Sequence, residues 1–185
     1  MKTGLVSDRL DSRLVLIDIQ EKLCAAMPQP ALQTLLKNCD ILLQTAQLLD
    51  IPTIHTEQYP KGLGPTLPAL AQRLDPATRV EKTCFSCCEE SAFANLLDDT
   101  RNQVVLTGME AHICILQTAL QLNENGRQVF VVEDAVLSRN PANHANAMAR
   151  LRQAGVIVSN TESVVFEWLK VAQGDAFRQI SRLVR

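Results

Sequence analysis

Short apolar runs alternate with stretches of helical periodicity along this chain. Six runs have the length and composition of buried parallel strands, at 14–17, 51–56, 79–81, 104–107, 128–132 and 156–158. Apolar residues at helical spacing predict helices over 30–49, 89–97, 112–125, 141–153, 163–169 and 175–184. Residues 59–68 contain three prolines and two glycines and are predicted to form a loop.

Strands that alternate with helices indicate right-handed βαβ units and a parallel sheet covered on both faces. We therefore predict an α/β fold, a three-layer α/β/α and Rossmann-like arrangement with six mostly parallel strands and the first strand central. The chain has 185 residues, enough for one substantial core. No linker, repeat or low-complexity tract divides it, so residues 1–185 are predicted to form a single domain.

Charge and hydropathy exclude several classes of function. The net charge is −2 and no long run of one sign occurs, which argues against a nucleic-acid partner. No apolar stretch reaches the roughly 18 residues that cross a bilayer. Residues 1–11 lack the apolar segment of a secretory signal. We expect a cytoplasmic protein with neither a nucleic-acid nor a membrane partner.

The six cysteines are expected to be free thiols, because disulfides are rare in cytosolic proteins. Cys84 and Cys87 form a C-x-x-C pair, which is typical of zinc sites and redox sites. No second C-x-x-C or H-x-H pair completes four zinc ligands, so neither a metal nor another cofactor is expected. A thiol redox protein that uses Cys84 and Cys87 remains an alternative hypothesis.

Three polar residues are predicted to meet where open α/β sheets bind ligands, beyond the carboxyl ends of the strands. Asp18 ends the first strand, Lys82 follows the third, and Cys114 begins the helix after the fourth. Taken singly, Asp18 could simply fix a loop, Lys82 could be a solvated surface lysine, and Cys114 could be a buried packing residue. A helix N-terminus and a nearby lysine lower a thiol's pKa, and backbone N–H groups there can receive an oxyanion.

The motifs around these residues resemble the isochorismatase-like hydrolase superfamily, which includes nicotinamidases and N-carbamoylsarcosine amidohydrolases. They read LIDIQ at 16–20, EKTCFS at 81–86, GMEAHIC at 108–114 and VEDA at 132–135, and the resemblance covers about residues 12–168. It implies a catalytic triad in which Asp18 takes the proton of Cys114 and passes it to the leaving group. Lys82 would favour the thiolate and hold Asp18 ionised.

The resemblance also implies a cis peptide bond between Met109 and Glu110, and an oxyanion hole formed by the N–H groups of Glu110 and Cys114. Residues near the motifs are predicted to line the substrate pocket: Gln20, Tyr59, Phe85 and His112. Core packing is an equally good interpretation of Phe85, and a hydrogen bond to the backbone is an alternative role for His112.

One departure from the superfamily bears on metal binding. Metal-dependent nicotinamidases carry an Asp-x-His pair after the second strand, where this chain has Gln58 and Pro60. This stretch instead resembles a branch of uncharacterised isochorismatase-domain hydrolases. A thiolate is not needed to cleave the vinyl ether of isochorismate, so Cys114 argues against that substrate.

The resulting hypothesis is a cysteine hydrolase that cleaves a small-molecule amide or related C–N bond through a thioester. A non-catalytic relative that uses the pocket for binding or assembly is a second alternative. The resemblance suggests a homo-oligomer, and the apolar helices near the C-terminus fit either an interface or the core. Lys82 and the helix N-terminus are expected to outweigh Asp18 and lower the pKa of Cys114, so that Cys114 is alkylated ahead of the other cysteines.

Overall fold

Six parallel strands form one sheet in the computed structural model, which describes residues 4–97 and 99–185. The strands are β1 (Ser12–Ile17), β2 (Thr53–Gln58), β3 (Arg79–Lys82), β4 (Gln103–Met109), β5 (Gln128–Leu137) and β6 (Ile157–Ser159). Their order is β3-β2-β1-β4-β5-β6, and every pairing between neighbours is parallel. The prediction of a parallel α/β sheet with a central first strand is confirmed.

Helices cover both faces of this sheet. They are α1 (Glu21–Ala25), α2 (Gln29–Leu48), α3 (Pro60–Leu63), α4 (Pro68–Ala71), α5 (Ser91–Leu97), α6 (Leu116–Glu124), α7 (Pro141–Gln153), α8 (Thr161–Leu169) and α9 (Gly174–Leu183). One core joins α2, α8 and α9 to the sheet, and the other joins α5, α6 and α7 to the opposite face. The three-layer prediction is therefore confirmed. The predicted single domain of residues 1–185 also includes residues 1–3 and Asp98, which lie outside the described residues.

The apolar run of β1 divides between these two cores. Leu14 and Leu16 pack into one core, while Val15 and Ile17 pack into the other, as the two-residue period of a strand requires. All four are at most 2% exposed. A strand buried on both faces needs a continuous apolar sequence, which explains why this strand was readable from the pattern.

Three local features differ from the sequence predictions. The predicted loop at 59–68 contains the short helix α3. Strand β5 continues to Leu137, five residues beyond its predicted end. The prediction stopped early because polar residues such as Asp134 interrupt the apolar run of this strand. The predicted helix at 112–125 starts as a π-helical turn over Ala111–Ile115, and α6 follows it.

Gly108 allows β4 to approach the end of β1 closely. Its φ is +115°, and a Cβ at this position would lie 2.0 Å from the carbonyl oxygen of Ile17. A side chain here would collide with main-chain atoms directly beside Asp18, so glycine is required. Across the part of the chain that the structure describes, no helix combines the length and apolar character that a membrane span requires.

His55 on β2 should make the stability of the protein depend on pH. The residue is buried, and no partner for its Nδ1 is present among residues 4–97 and 99–185. Loss of solvation lowers its pKa, the nearby Arg79 reinforces this, and Glu57 and Asp75 oppose it. The folded state therefore binds a proton less readily than the unfolded state. The free energy of unfolding should fall as the pH drops below about 6.5, the ordinary histidine pKa.

Replacement of His55 by leucine should flatten this dependence, by up to about 1.4 kcal/mol per pH unit for one proton. Urea unfolding of wild type and His55→Leu between about pH 7.5 and pH 5 measures the effect. Identical slopes for the two proteins would show that His55 does not contribute.

Candidate active site

Asp18 is completely buried at the carboxyl end of β1. Its backbone is left-handed, with a φ of 56°, a conformation that aspartate adopts more readily than most residues. Its N–H donates to the carbonyl of Thr56 at 3.1 Å, and its Oδ1 accepts from the Thr56 hydroxyl at 2.6 Å. The neighbouring strand β2 thus fixes both the backbone and the carboxylate of Asp18.

Lys82 ends the edge strand β3, and its side chain is completely buried. Its ammonium donates to Asp18 Oδ2 at 2.7 Å and to Gln58 Oε1 at 2.6 Å. The carbonyls of Cys84 and Phe85 each lie 3.3 Å from Nζ. Desolvation is the largest influence and acts to lower the pKa of Lys82, but the charge of Asp18, the hydrogen bond to it and the nearby Cys114 and Cys87 together outweigh it, so the pKa is raised. Lys82 is therefore a cation held by four oxygen atoms.

Cys114 lies in the π-helical turn and is 7% exposed. The carboxylate of Asp18 lies close enough to act on this thiol, and it also pairs with the Lys82 ammonium. Burial raises the pKa of Cys114 to about 12, the charge of Asp18 adds to this, and Lys82 opposes it only in part. The predicted lowering of this pKa is wrong. At neutral pH the residue is a protonated thiol beside a carboxylate, and its predicted preferential alkylation loses its basis.

The residues between β4 and Cys114 are fastened to the end of β5. The peptide bond between Met109 and Glu110 is cis. The Glu110 carboxylate accepts from Arg139 Nε at 2.7 Å and from the Arg139 backbone N–H at 3.2 Å. The Glu110 carbonyl accepts from the N–H groups of Ile113 and Ile115. Glu110 therefore anchors the turn that carries the thiol, while the oxyanion role of its own N–H stays a prediction.

The four predicted pocket residues occupy different environments. Gln20 is completely buried, and its side-chain amide is hydrogen-bonded to main-chain groups of Gln58 and Gly64, so its contact with substrate stays a prediction. The oxygen and the nitrogen of its side chain are both hydrogen-bonded to the main chain, and these bonds join the end of β2 to the loop that follows it. Tyr59 and Phe85 are exposed, at 56% and 55%. Both are therefore accessible to a ligand, and the core interpretation of Phe85 is wrong.

His112 is partly exposed and is held by its neighbours. Its Nδ1 lies 2.9 Å from the Ser138 hydroxyl, and its Nε2 lies 3.3 Å from the Asn143 side-chain nitrogen. The ring also approaches Glu110, with 3.7 Å between Nδ1 and a carboxylate oxygen. These side chains orient the imidazole, which does not support the backbone hydrogen bond considered from the sequence; the place of His112 in the substrate pocket stays a prediction.

Two residues of the site were missed by sequence reasoning. Thr56 binds the Asp18 carboxylate, and Gln58 binds the Lys82 ammonium. Both lie near the carboxyl end of β2, next to β1 in the sheet. Knowledge that β2 is the neighbour of β1 would have drawn attention to these two residues. The sequence alone does not show which strands are neighbours.

All six cysteines are free thiols, but they differ greatly in accessibility. Cys84 is exposed, whereas Cys87 is completely buried and burial raises its pKa to about 12. Among residues 4–97 and 99–185, no group of three or more His, Cys, Asp or Glu side chains could hold a metal ion.

The sequence from Ser12 to Ser163 matches the model of the isochorismatase domain. The chain belongs to the isochorismatase family. It is 43% identical to isochorismatase domain-containing protein 2 of Danio rerio over 176 residues, which covers 94% of this chain and 86% of that protein. This membership confirms the resemblance inferred from the motifs of the sequence.

Two solved structures of isochorismatase-like proteins share the fold closely. A protein described as MAR1 ribonuclease from Caenorhabditis elegans has a TM-score of 0.90 and 34% identity, covering 97% of this chain and 92% of that one. The YcaC gene product of Escherichia coli, described as an octameric hydrolase of unknown specificity, also has a TM-score of 0.90, with 24% identity and coverage of 99% and 92%. Membership of the isochorismatase family supports a hydrolase role for this chain.

Proposed function

We propose that this protein is a cysteine hydrolase that cleaves a small-molecule amide or related C–N bond through a thioester on Cys114. The observation that carries the proposal is a single buried carboxylate, Asp18, that pairs with the Lys82 ammonium at 2.7 Å and lies close enough to the Cys114 thiol to act on it. A general base must lie within hydrogen-bonding reach of the proton that it removes, and Asp18 meets this condition.

The first half of the reaction forms the thioester. Asp18 takes the thiol proton while Sγ of Cys114 bonds to the substrate carbonyl carbon, which gives a tetrahedral oxyanion. The N–H groups of Glu110 and Cys114 are the proposed donors to that oxyanion. The C–N bond then breaks, and the amine leaves with the proton that Asp18 received. Lys82 stays charged throughout and offsets the negative charge that passes between Asp18 and the sulfur.

The second half releases the acid. A water molecule gives one proton to Asp18 and bonds through its oxygen to the thioester carbon. The C–S bond breaks, the carboxylic acid departs, and Asp18 returns the proton to Cys114. A resting thiol with a raised pKa suits this cycle, because the proton needed by the leaving amine is already in the site.

The alternative functions have weaker support. A redox pair of Cys84 and Cys87 would need an accessible Cys87, and this thiol is completely buried. An RNA substrate, which the name of the nematode relative suggests for that protein, would favour a basic surface, and this chain has a net charge of −2. A binding or assembly role leaves the closeness of Asp18 to Cys114 unexplained.

The proposed partners are a small-molecule substrate and further copies of this chain, in the cytoplasm. The octameric state of the E. coli relative supports a homo-oligomer. Light scattering of the purified protein measures this state.

A panel of small amides, ureas and esters, assayed with wild type, Cys114→Ala and Cys84→Ala, tests the function. We expect wild type and Cys84→Ala to hydrolyse the same member of the panel and Cys114→Ala to be inactive. Intact-protein mass spectrometry with the ester should detect an acyl group on wild type that is absent from Cys114→Ala. Activity that survives in Cys114→Ala, or that is lost in Cys84→Ala, would refute the thioester mechanism.

A further inference from the structure

Gln58 occupies a fixed place beside the Lys82 ammonium. Its Oε1 lies 2.6 Å from Nζ, and its Nε2 donates to the carbonyl of Thr83 at 2.7 Å. An ammonium can only donate and a carbonyl can only accept, so these two partners fix which end of the amide faces Lys82. The side chain of Gln58 therefore presents an oxygen, not a nitrogen, to the cation.

The backbone of Gln58 is held as firmly as its side chain. The buried Gln20 amide accepts from the Gln58 N–H at 2.8 Å and donates to the Gln58 carbonyl at 3.0 Å. The next residue, Tyr59, donates its N–H to the carbonyl of Lys82 at 2.8 Å. These bonds tie the end of β2 to the end of β3, so the Gln58 oxygen has little freedom to leave Lys82.

The charge of this second acceptor matters because the site already contains one anion. With Asp18 ionised, Lys82 charged and Cys114 protonated, the three groups sum to zero. A neutral oxygen solvates the ammonium without adding negative charge. A carboxylate in its place would put a second permanent anion on the ammonium that favours the Cys114 thiolate, and would offset part of that positive charge.

We propose that Gln58 is a positioning residue that tunes the reactivity of Cys114 by holding the Lys82 ammonium on a neutral oxygen. The inference deepens the proposed function, since it rests on Cys114 as the nucleophile. Gln58 acts through Lys82 and contacts no reacting atom in this scheme.

Alkylation of Cys114 by iodoacetamide, resolved by peptide mass spectrometry across about pH 7 to 10, tests the inference. Gln58→Glu keeps the oxygen and the size of the side chain but adds a charge. We expect its rate at Cys114 to fall about tenfold or more, with the profile shifted upward by about one pH unit. Gln72→Glu makes the same change at an exposed glutamine outside the site, so it is the matched control and should leave the rate unchanged. An unchanged rate in Gln58→Glu would overturn the proposal.

A double-variant cycle separates tuning through Lys82 from a general structural effect. Gln58→Met should change the alkylation rate several-fold when Lys82 is present and should have no effect in a Lys82→Met background. Equal effects in both backgrounds would overturn the proposal. If Lys82→Met does not fold, the Gln58→Glu profile decides alone. Alkylation needs no substrate, so these outcomes are independent of whether the panel of amides is hydrolysed.

Discussion

Replacement of Asp18 by asparagine should lower turnover about a thousandfold, within the range that general acid–base catalysis supplies. The same change should make Cys114 more reactive toward iodoacetamide, because it removes the negative charge that helps to raise the pKa of the thiol. Lys82 would then have the sulfur as its only anionic partner in the triad. Misfolding would also expose this buried thiol, but it would speed alkylation of the buried Cys24, Cys39 and Cys87 as well. The expected result is therefore loss of turnover with faster alkylation confined to Cys114.

Asparagine is a close match for Asp18 in other respects. It tolerates the left-handed backbone found here, and its carbonyl oxygen can still accept from Thr56. Thermal unfolding followed by circular dichroism provides the control for folding. If Asp18→Asn slows turnover and alkylation by the same factor, then Asp18 does not act as the base.

Replacement of Lys82 by methionine should destabilise the protein by about 3–5 kcal/mol, the usual cost of leaving one partner of a buried ion pair alone. The side chains of Lys82 and Asp18 are both completely buried, so water cannot compensate for the lost ammonium. Urea unfolding at neutral pH measures the difference in the free energy of unfolding.

The double variant Asp18→Asn with Lys82→Met is the matched control for this loss. It contains no unpaired charge at the site, so it should be more stable than Lys82→Met alone. A double variant whose destabilisation equals the sum of the two single effects would show that the two residues do not interact.

Most of the architecture could be read from the chain because buried parallel strands leave an unambiguous pattern. β1 is such a case, since both of its faces lie in a core and its sequence is almost purely apolar. The end of β5 was missed because Glu133 and Asp134 lie inside the strand. Asp134 instead accepts from the N–H and hydroxyl of Thr161, a contact that only the folded chain creates.

The site could be predicted as a set of residues but not as an electrostatic environment. Asp18, Lys82 and Cys114 were placed by their positions after strands. The pKa of Cys114 could not be predicted because it depends on how completely the thiol is removed from water and on its closeness to Asp18. The partners of Gln20 could not be predicted for a related reason, because an amide near a motif gives no sign of the main-chain groups that it will bind.

Asp18, Lys82 and Cys114 follow or end strands that differ in how easily they open locally. Asp18 follows β1 and Cys114 follows β4, which are the two central strands, whereas Lys82 belongs to β3, an edge strand of four residues that pairs only with β2. Edge elements with few ladder bonds exchange their amide hydrogens through small fluctuations, while central strands require near-global unfolding. Detachment of β3 would withdraw the ammonium and leave Asp18 and Cys114 in place. Mild heat or denaturant should therefore abolish the hydrolase activity while the amide hydrogens in most of the sheet are still protected from exchange.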